Sequence, residues 1–181
     1  MERHIGEAAR AATAMETIAN KIEAGNQMIM RAYVTAVIGT AVFQQRREGQ
    51  TDLKFEGKVQ VSNTGNSAAR KVRIRKRAAV LPNPVPGDFD FSLPEDVSDS
   101  TYASMGAHQS YVISSIVPDF VPDAEVAAIK EGNRQALVMW GTITYEDIFG
   151  KSHQTKFAHL LTWLPNASVW GIYIPSQNDT E

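Results

Sequence analysis

The chain has 181 residues, a mass of 19.9 kDa and a formal net charge of −2, which is enough for one ordinary domain with its own core and too little for two large ones. Hydrophobic residues make up 43% and charged residues 21%, the globular range, and the lack of any cysteine excludes disulfide frameworks, thiolate zinc sites and cysteine nucleophiles. No apolar run reaches the roughly 18 residues of a membrane helix, and the polar start MERHIGEAAR lacks the apolar stretch of a signal peptide, so the chain as given is expected to be soluble.

Charge is unevenly placed. Residues 1–80 carry 14 Lys and Arg against 7 Asp and Glu, and residues 81–181 carry 4 against 13. Such asymmetry fits either an anionic partner for the basic half or two faces of one domain neutralising each other. The near-zero total favours the second.

Residues 4–31 read as one helix. Ile5, Ala8, Ala12, Met15, Ala19, Ile22, Asn26 and Ile29 recur at alternating spacings of three and four, the seam of a coiled coil. Three alanines and Asn26 keep that seam weak, and Gly25 loosens its last turns. The helix either lies on the domain behind it or pairs with another chain. Residues 32–43 are apolar on both faces and β-branched, as a buried strand is. Residues 53–62 alternate, with Leu53, Phe55, Val59 and Val61 on one face and Lys54, Glu56, Lys58, Gln60 and Ser62 on the other. After the turn SNTGN, residues 70–77 resume alternation, with Val72 and Ile74 inward and Lys71, Arg73, Arg75 and Arg77 outward.

Residues 81–106 hold Pro82, Pro84, Pro86 and Pro94, five acids and no basic residue, which predicts a long surface loop. Residues 108–117 predict a strand closed by Pro118, and 123–131 a short helix with Asp123 as N-cap. Residues 134–145 and 154–163 predict two long apolar strands, and 169–174 a last one before a fraying tail at 176–181. The expected fold is therefore mostly β: an antiparallel sandwich over 32–175, a long N-terminal α-helix over 1–31 as stalk or coiled coil, and one short internal helix.

Chemistry is sparse. There is no phosphate loop. GNSAA with Ser67, Asp147 and His159 follows the chain order of a nucleophile elbow, but it leads into a strand rather than a helix. His4, His108, His153 and His159 form no metal-ligand pair, and Asp119 and Asp123 match no calcium loop. No metal or cofactor is expected. Arg73, Arg75 and Arg77 form a cationic ladder on one strand face, which reads first as a solvated, aggregation-resistant face and second as a surface that suits phosphates or an acidic protein. No aromatic is expected beside them, so base stacking and nucleic-acid binding are not.

RAYV (31–34) after an alanine-rich helix, VSNTGNSAARKV (61–72) and WGTITYEDIFGKSHQTKF (140–157) resemble phrases shared by a group of uncharacterised bacterial proteins. The resemblance covers most of residues 31–160. It implies an immunoglobulin-like sandwich behind an N-terminal helix, often preceded by a membrane anchor that this sequence lacks, so the chain is expected to be either a soluble relative or the part downstream of an anchor that tethers a longer form to the bacterial membrane. It implies no catalytic residues. The functional expectation is a non-catalytic interaction module on a helical stalk, with a protein or other anionic partner and self-association through residues 4–30. The rival is an enzyme or small-ligand site built from Tyr145, Asp147, His153 and Thr155, residues also suited to fixing the hairpin around Gly150.

Overall fold

A computed structural model of the protein describes residues 2–37, 39, 42–95, 97, 99–164 and 168–180. Helix α1 runs Glu2–Met30. The strands are β1 (Val34–Val37), β2 (Val42–Arg46), β3 (Leu53–Asn63), β4 (Ala69–Pro82), β5 (Asp99–Met105), β6 (Ser110–Ile116), β7 (Gln135–Glu146), β8 (Ser152–Trp163), β9 (Val169–Tyr173) and β10 (Asp179–Thr180), with α2 (Asp123–Lys130) between β6 and β7.

All pairing is antiparallel and falls into two sheets. In the first, β3 carries β1 and β2 end to end along one edge and β6 along the other. In the second, β8, β7, β4 and β5 lie side by side, and β9 and β10 share the free edge of β8. The alternation read in β3 is what lets one sheet face the other: Phe55, Val59 and Val61 are fully buried while Gln60 stays in water. They meet Ile74 of β4, Met139 and Ile143 of β7, and Phe157 and Leu161 of β8 in one core. The result is a β-sandwich.

Three sequence expectations need correction. The stretch 81–106 is not all loop, because β5 pairs with β4 from Arg75↔Asp99 to Ala69↔Met105. Its earlier part folds back on the sheet, with Phe89, Phe91 and Leu93 packed over Trp140, Val138 and Ala158. Prolines and acids signalled the turns and hid these apolar anchors. Pro122 rather than Asp123 holds the N-cap of α2 and makes no side-chain cap bond. Asp123 instead pairs with Arg46 at 3.0 Å. The tail also does not fray through residue 180. A 3₁₀ turn at Pro175–Gln177 leads into β10, and the Asn178 amide ties it to the Ile174 and Ala158 carbonyls at 2.6 and 3.3 Å.

The end of the sandwich nearest α1 is built around Asn63. Its side chain is fully buried. Its oxygen accepts the backbone N–H groups of Tyr33 and Gly65, both at 3.1 Å. Its amide donates to the carbonyls of Ser67, Met105 and Gly106 at 2.7, 3.2 and 3.0 Å. One amide thus joins the start of β1, the β3–β4 turn and the end of β5. Gly65 is required in that turn, because a Cβ would stand 2.4 Å from the Arg31 carbonyl oxygen.

Candidate functional site

The β7–β8 hairpin places Tyr145, Asp147, His153 and Thr155 together, and gives each a structural partner. Asp147 opens the turn. Its Oδ1 accepts the N–H groups of Phe149 and Lys151 at 2.9 and 3.0 Å, and its Oδ2 meets His153 Nε2 at 2.8 Å. Burial alone would raise the Asp147 carboxyl, but the bonds from His153, Lys151 and Phe149 together outweigh it and hold the group below the ordinary aspartate range. Gly150 sits at φ 79°, a conformation that side chains oppose. The His153 ring stacks on Tyr145 at 5.3 Å between centroids. Ile148 is half-buried, and Phe149 is 42% exposed beside α1.

The other hydroxyls of this region close a backbone edge. The carbonyls of alternate residues point to the same edge of a strand, and on β1 the edge away from β3 has no strand beside it among the described residues. Tyr145 Oη donates to the Ala32 carbonyl at 3.4 Å, Thr155 Oγ1 to that of Val34 at 2.6 Å, and Tyr173 Oη to that of Ala36 at 3.0 Å. Three donors from β7, β8 and β9 so satisfy three carbonyls in succession. Burial raises the phenols of Tyr145 and Tyr173, which keeps both as donors at neutral pH.

No nucleophile elbow is assembled. Ser67 Oγ and both ring nitrogens of His159 are buried and make no hydrogen bond, and Asp147 is committed to His153 and its own turn. His159 is fully buried against Tyr173 and Phe157. Burial pushes its pKa down to about 4, and the nearby Ala36 backbone offsets only part of this without reaching hydrogen-bond geometry. No group of three metal-ligating side chains occurs among the described residues. His4 lies outside the described side chains.

The cationic ladder is divided by its surroundings. A bulge between Arg70 and Arg73, with Lys71 at φ 51°, takes Lys71 out of line and sets it against Glu146 at 2.9 Å. Register then lays out the exposed face of the second sheet in rows: Arg73, Thr144 and Gln154; Arg75, Thr142 and Lys156; Arg77, Trp140 and Ala158. An aromatic does stand beside the ladder, contrary to expectation. The Arg77 guanidinium lies 5.8 Å from the Trp140 ring centre, and Phe89 and Phe91 cover that ring edge-to-face at 5.8 and 5.9 Å. Arg73 and Arg75 instead line a cleft of about 550 Å³ over Thr142 and Thr144. Sequence reasoning missed Lys156, Thr142 and Thr144, because cross-strand register is what joins them to the ladder.

Among the described side chains, helix α1 is tied to the sandwich near its C-terminal end. Asn66 Nδ2 donates to the Ile29 carbonyl at 2.9 Å and Lys151 Nζ to Gln27 Oε1 at 3.1 Å. An apolar notch separates Ala19, Ile22 and Met30 from Ile148 and Phe149. From Arg10 to Ala24 every residue is exposed, including the seam residues Met15 at 70% and Ile22 at 59%.

No family model matches the chain, and no curated protein matches it. Among solved structures, the Northeast Structural Genomics Consortium target SoR45 aligns at 12% identity over 69% of this chain and 84% of that one, with a TM-score of 0.37. A likeness so slight carries no argument.

Two outcomes are expected. Asp147→Ala removes the acceptor of two turn N–H groups and the partner of His153 Nε2, so it should cost about 2–4 kcal/mol in urea unfolding; unchanged stability would contradict a structural role. For His159, the unfolded ring takes up a proton near pH 6.5 and the folded ring resists to about pH 4. Stability from this residue is therefore full above pH 6.5 and is lost as pH falls from 6.5 toward 4, by on the order of 3 kcal/mol. Melting curves from pH 7 to 5 should fall less steeply for His159→Gln, and equal slopes would place the titration elsewhere.

Proposed function

We propose that the protein is a non-catalytic interaction module: an immunoglobulin-like β-sandwich carried on a helical stalk that pairs with a second copy of the same chain. In this reading the exposed face of the second sheet receives an anionic partner. The observation that carries it is the placement of α1. A helix of 29 residues is about 43 Å long, and a lone helix in water is marginal without tertiary packing. Here its seam spacing is that of a coiled coil, and the sandwich leaves the described part of that seam uncovered. A second copy of α1 satisfies both conditions.

Membership of the bacterial group with the RAYV, NTG and YEDIFG phrases belongs to the same proposal. What supports it is that the three phrases meet at the root of α1: Arg31–Val34 contacts Asn63, Gly65, Tyr145 and Thr155. Against an enzyme at the hairpin stand the bonds its polar side chains already make within the fold.

Sedimentation equilibrium of the full chain tests the stalk. The account predicts a mass above the 19.9 kDa of one chain, reduced to that value by Met15→Glu together with Ile22→Glu. A wild-type monomer up to about 100 µM, a weak-binding limit near −5.5 kcal/mol, would contradict self-association.

A further inference from the structure

A cleft of about 550 Å³ opens on the second sheet. Thr142 and Thr144 of β7 line it, flanked by Arg73 and Arg75 on β4 and by Gln154 and Lys156 on β8. With strands about 4.8 Å apart and two residues spanning about 6.7 Å, the backbone positions of Arg73, Arg75 and Lys156 stand about 7, 10 and 12 Å from one another. Asp90 is the one carboxylate among the described lining residues, and it is turned into its own loop, accepting the Ser92 N–H and hydroxyl at 2.8 Å each. The recess therefore presents an excess of positive charge beside neutral donors.

Its far wall is fixed. Arg75 donates to the Pro94 carbonyl at 2.6 Å, and Phe89 and Phe91 pack on each other at 4.7 Å and on Trp140. That ring cluster blocks the third row, so a chain extended along β7 would collide with it. A compact occupant avoids the collision, and the cleft volume lies within the range of small-molecule sites. Guanidinium groups and hydroxyls are suited to the oxygens of carboxylates and phosphates.

We infer that this cleft binds a compact small molecule with at least two anionic groups, phosphate or carboxylate, held by Arg73, Arg75 and Lys156 over Thr142 and Thr144. The inference rests on the anionic-partner half of the reading above and is independent of what α1 does.

Calorimetric titration of the full chain at low salt tests it, with pyrophosphate in one arm and citrate in the other. Saturable one-to-one binding with a Kd below about 1 mM is expected in at least one arm, and the arm that binds names the anion. Lys156→Gln and Arg73→Gln should each weaken it at least tenfold, as should the isosteric Thr144→Val, which keeps the test valid if a charge variant misfolds. Lys54→Gln on the other sheet should leave it unchanged. Failure of both small anions overturns the inference, as does undiminished binding in all three cleft variants. If poly-glutamate binds while both small anions fail, the anionic-partner reading survives and the small-molecule inference does not; if all three fail, both fall.

Discussion

The structure depends on how the free edge of β1 is satisfied. A carbonyl buried without a donor costs about 1–3 kcal/mol, and β1 with the residues leading into it faces its sister sheet with three of them, those of Ala32, Val34 and Ala36. A further strand would be the usual remedy. Here the donors are side-chain hydroxyls of the opposite sheet, Tyr145, Thr155 and Tyr173, so the bonds that close the edge also clamp the two layers together. Register is constrained at the same time, because a one-residue slip would turn these side chains out to solvent.

That clamp determines what α1 can do. Residues 31–34 are held from one side by Asn63 and from the other by Tyr145 and Thr155, so the helix leaves the sandwich from a fixed root. The turn behind Asp147 adds a second support through Lys151 and Gln27. Motif residues that resemble catalytic pieces in the sequence, an Asp, a His and a Thr, are thus used to hold a helix base. The cleft lies on the opposite face of the same sheet. There β7 shows Trp140, Thr142 and Thr144 outward while Met139, Ile143 and Tyr145 point into the core.

Much of this was legible in the sequence, and the physical reason is periodicity. Alternation in 53–62 and the apolar runs of β7 and β8 gave strands within a residue or two of those observed. The hairpin around Gly150 followed from turn chemistry. What was not legible depends on contacts between distant segments. Asn63 looks like an ordinary turn residue, and only its burial against Tyr33 and Met105 makes it a hub. Phe89 and Phe91 lie in a proline-rich stretch that reads as solvent-exposed, and only their seat on Trp140 explains them. The cleft residues come from three strands far apart in sequence. Strand β5, with the small polar sequence DSTYASM, has no apolar alternation to announce it.

The most direct measurement is denaturant unfolding of Thr155→Val. Valine keeps the shape of threonine and is more apolar, so burial alone predicts equal or greater stability. The edge-closing account predicts a loss of about 1–3 kcal/mol, because the Val34 carbonyl loses its donor at a site that water does not reach. A Thr155→Val chain as stable as the wild type would contradict it.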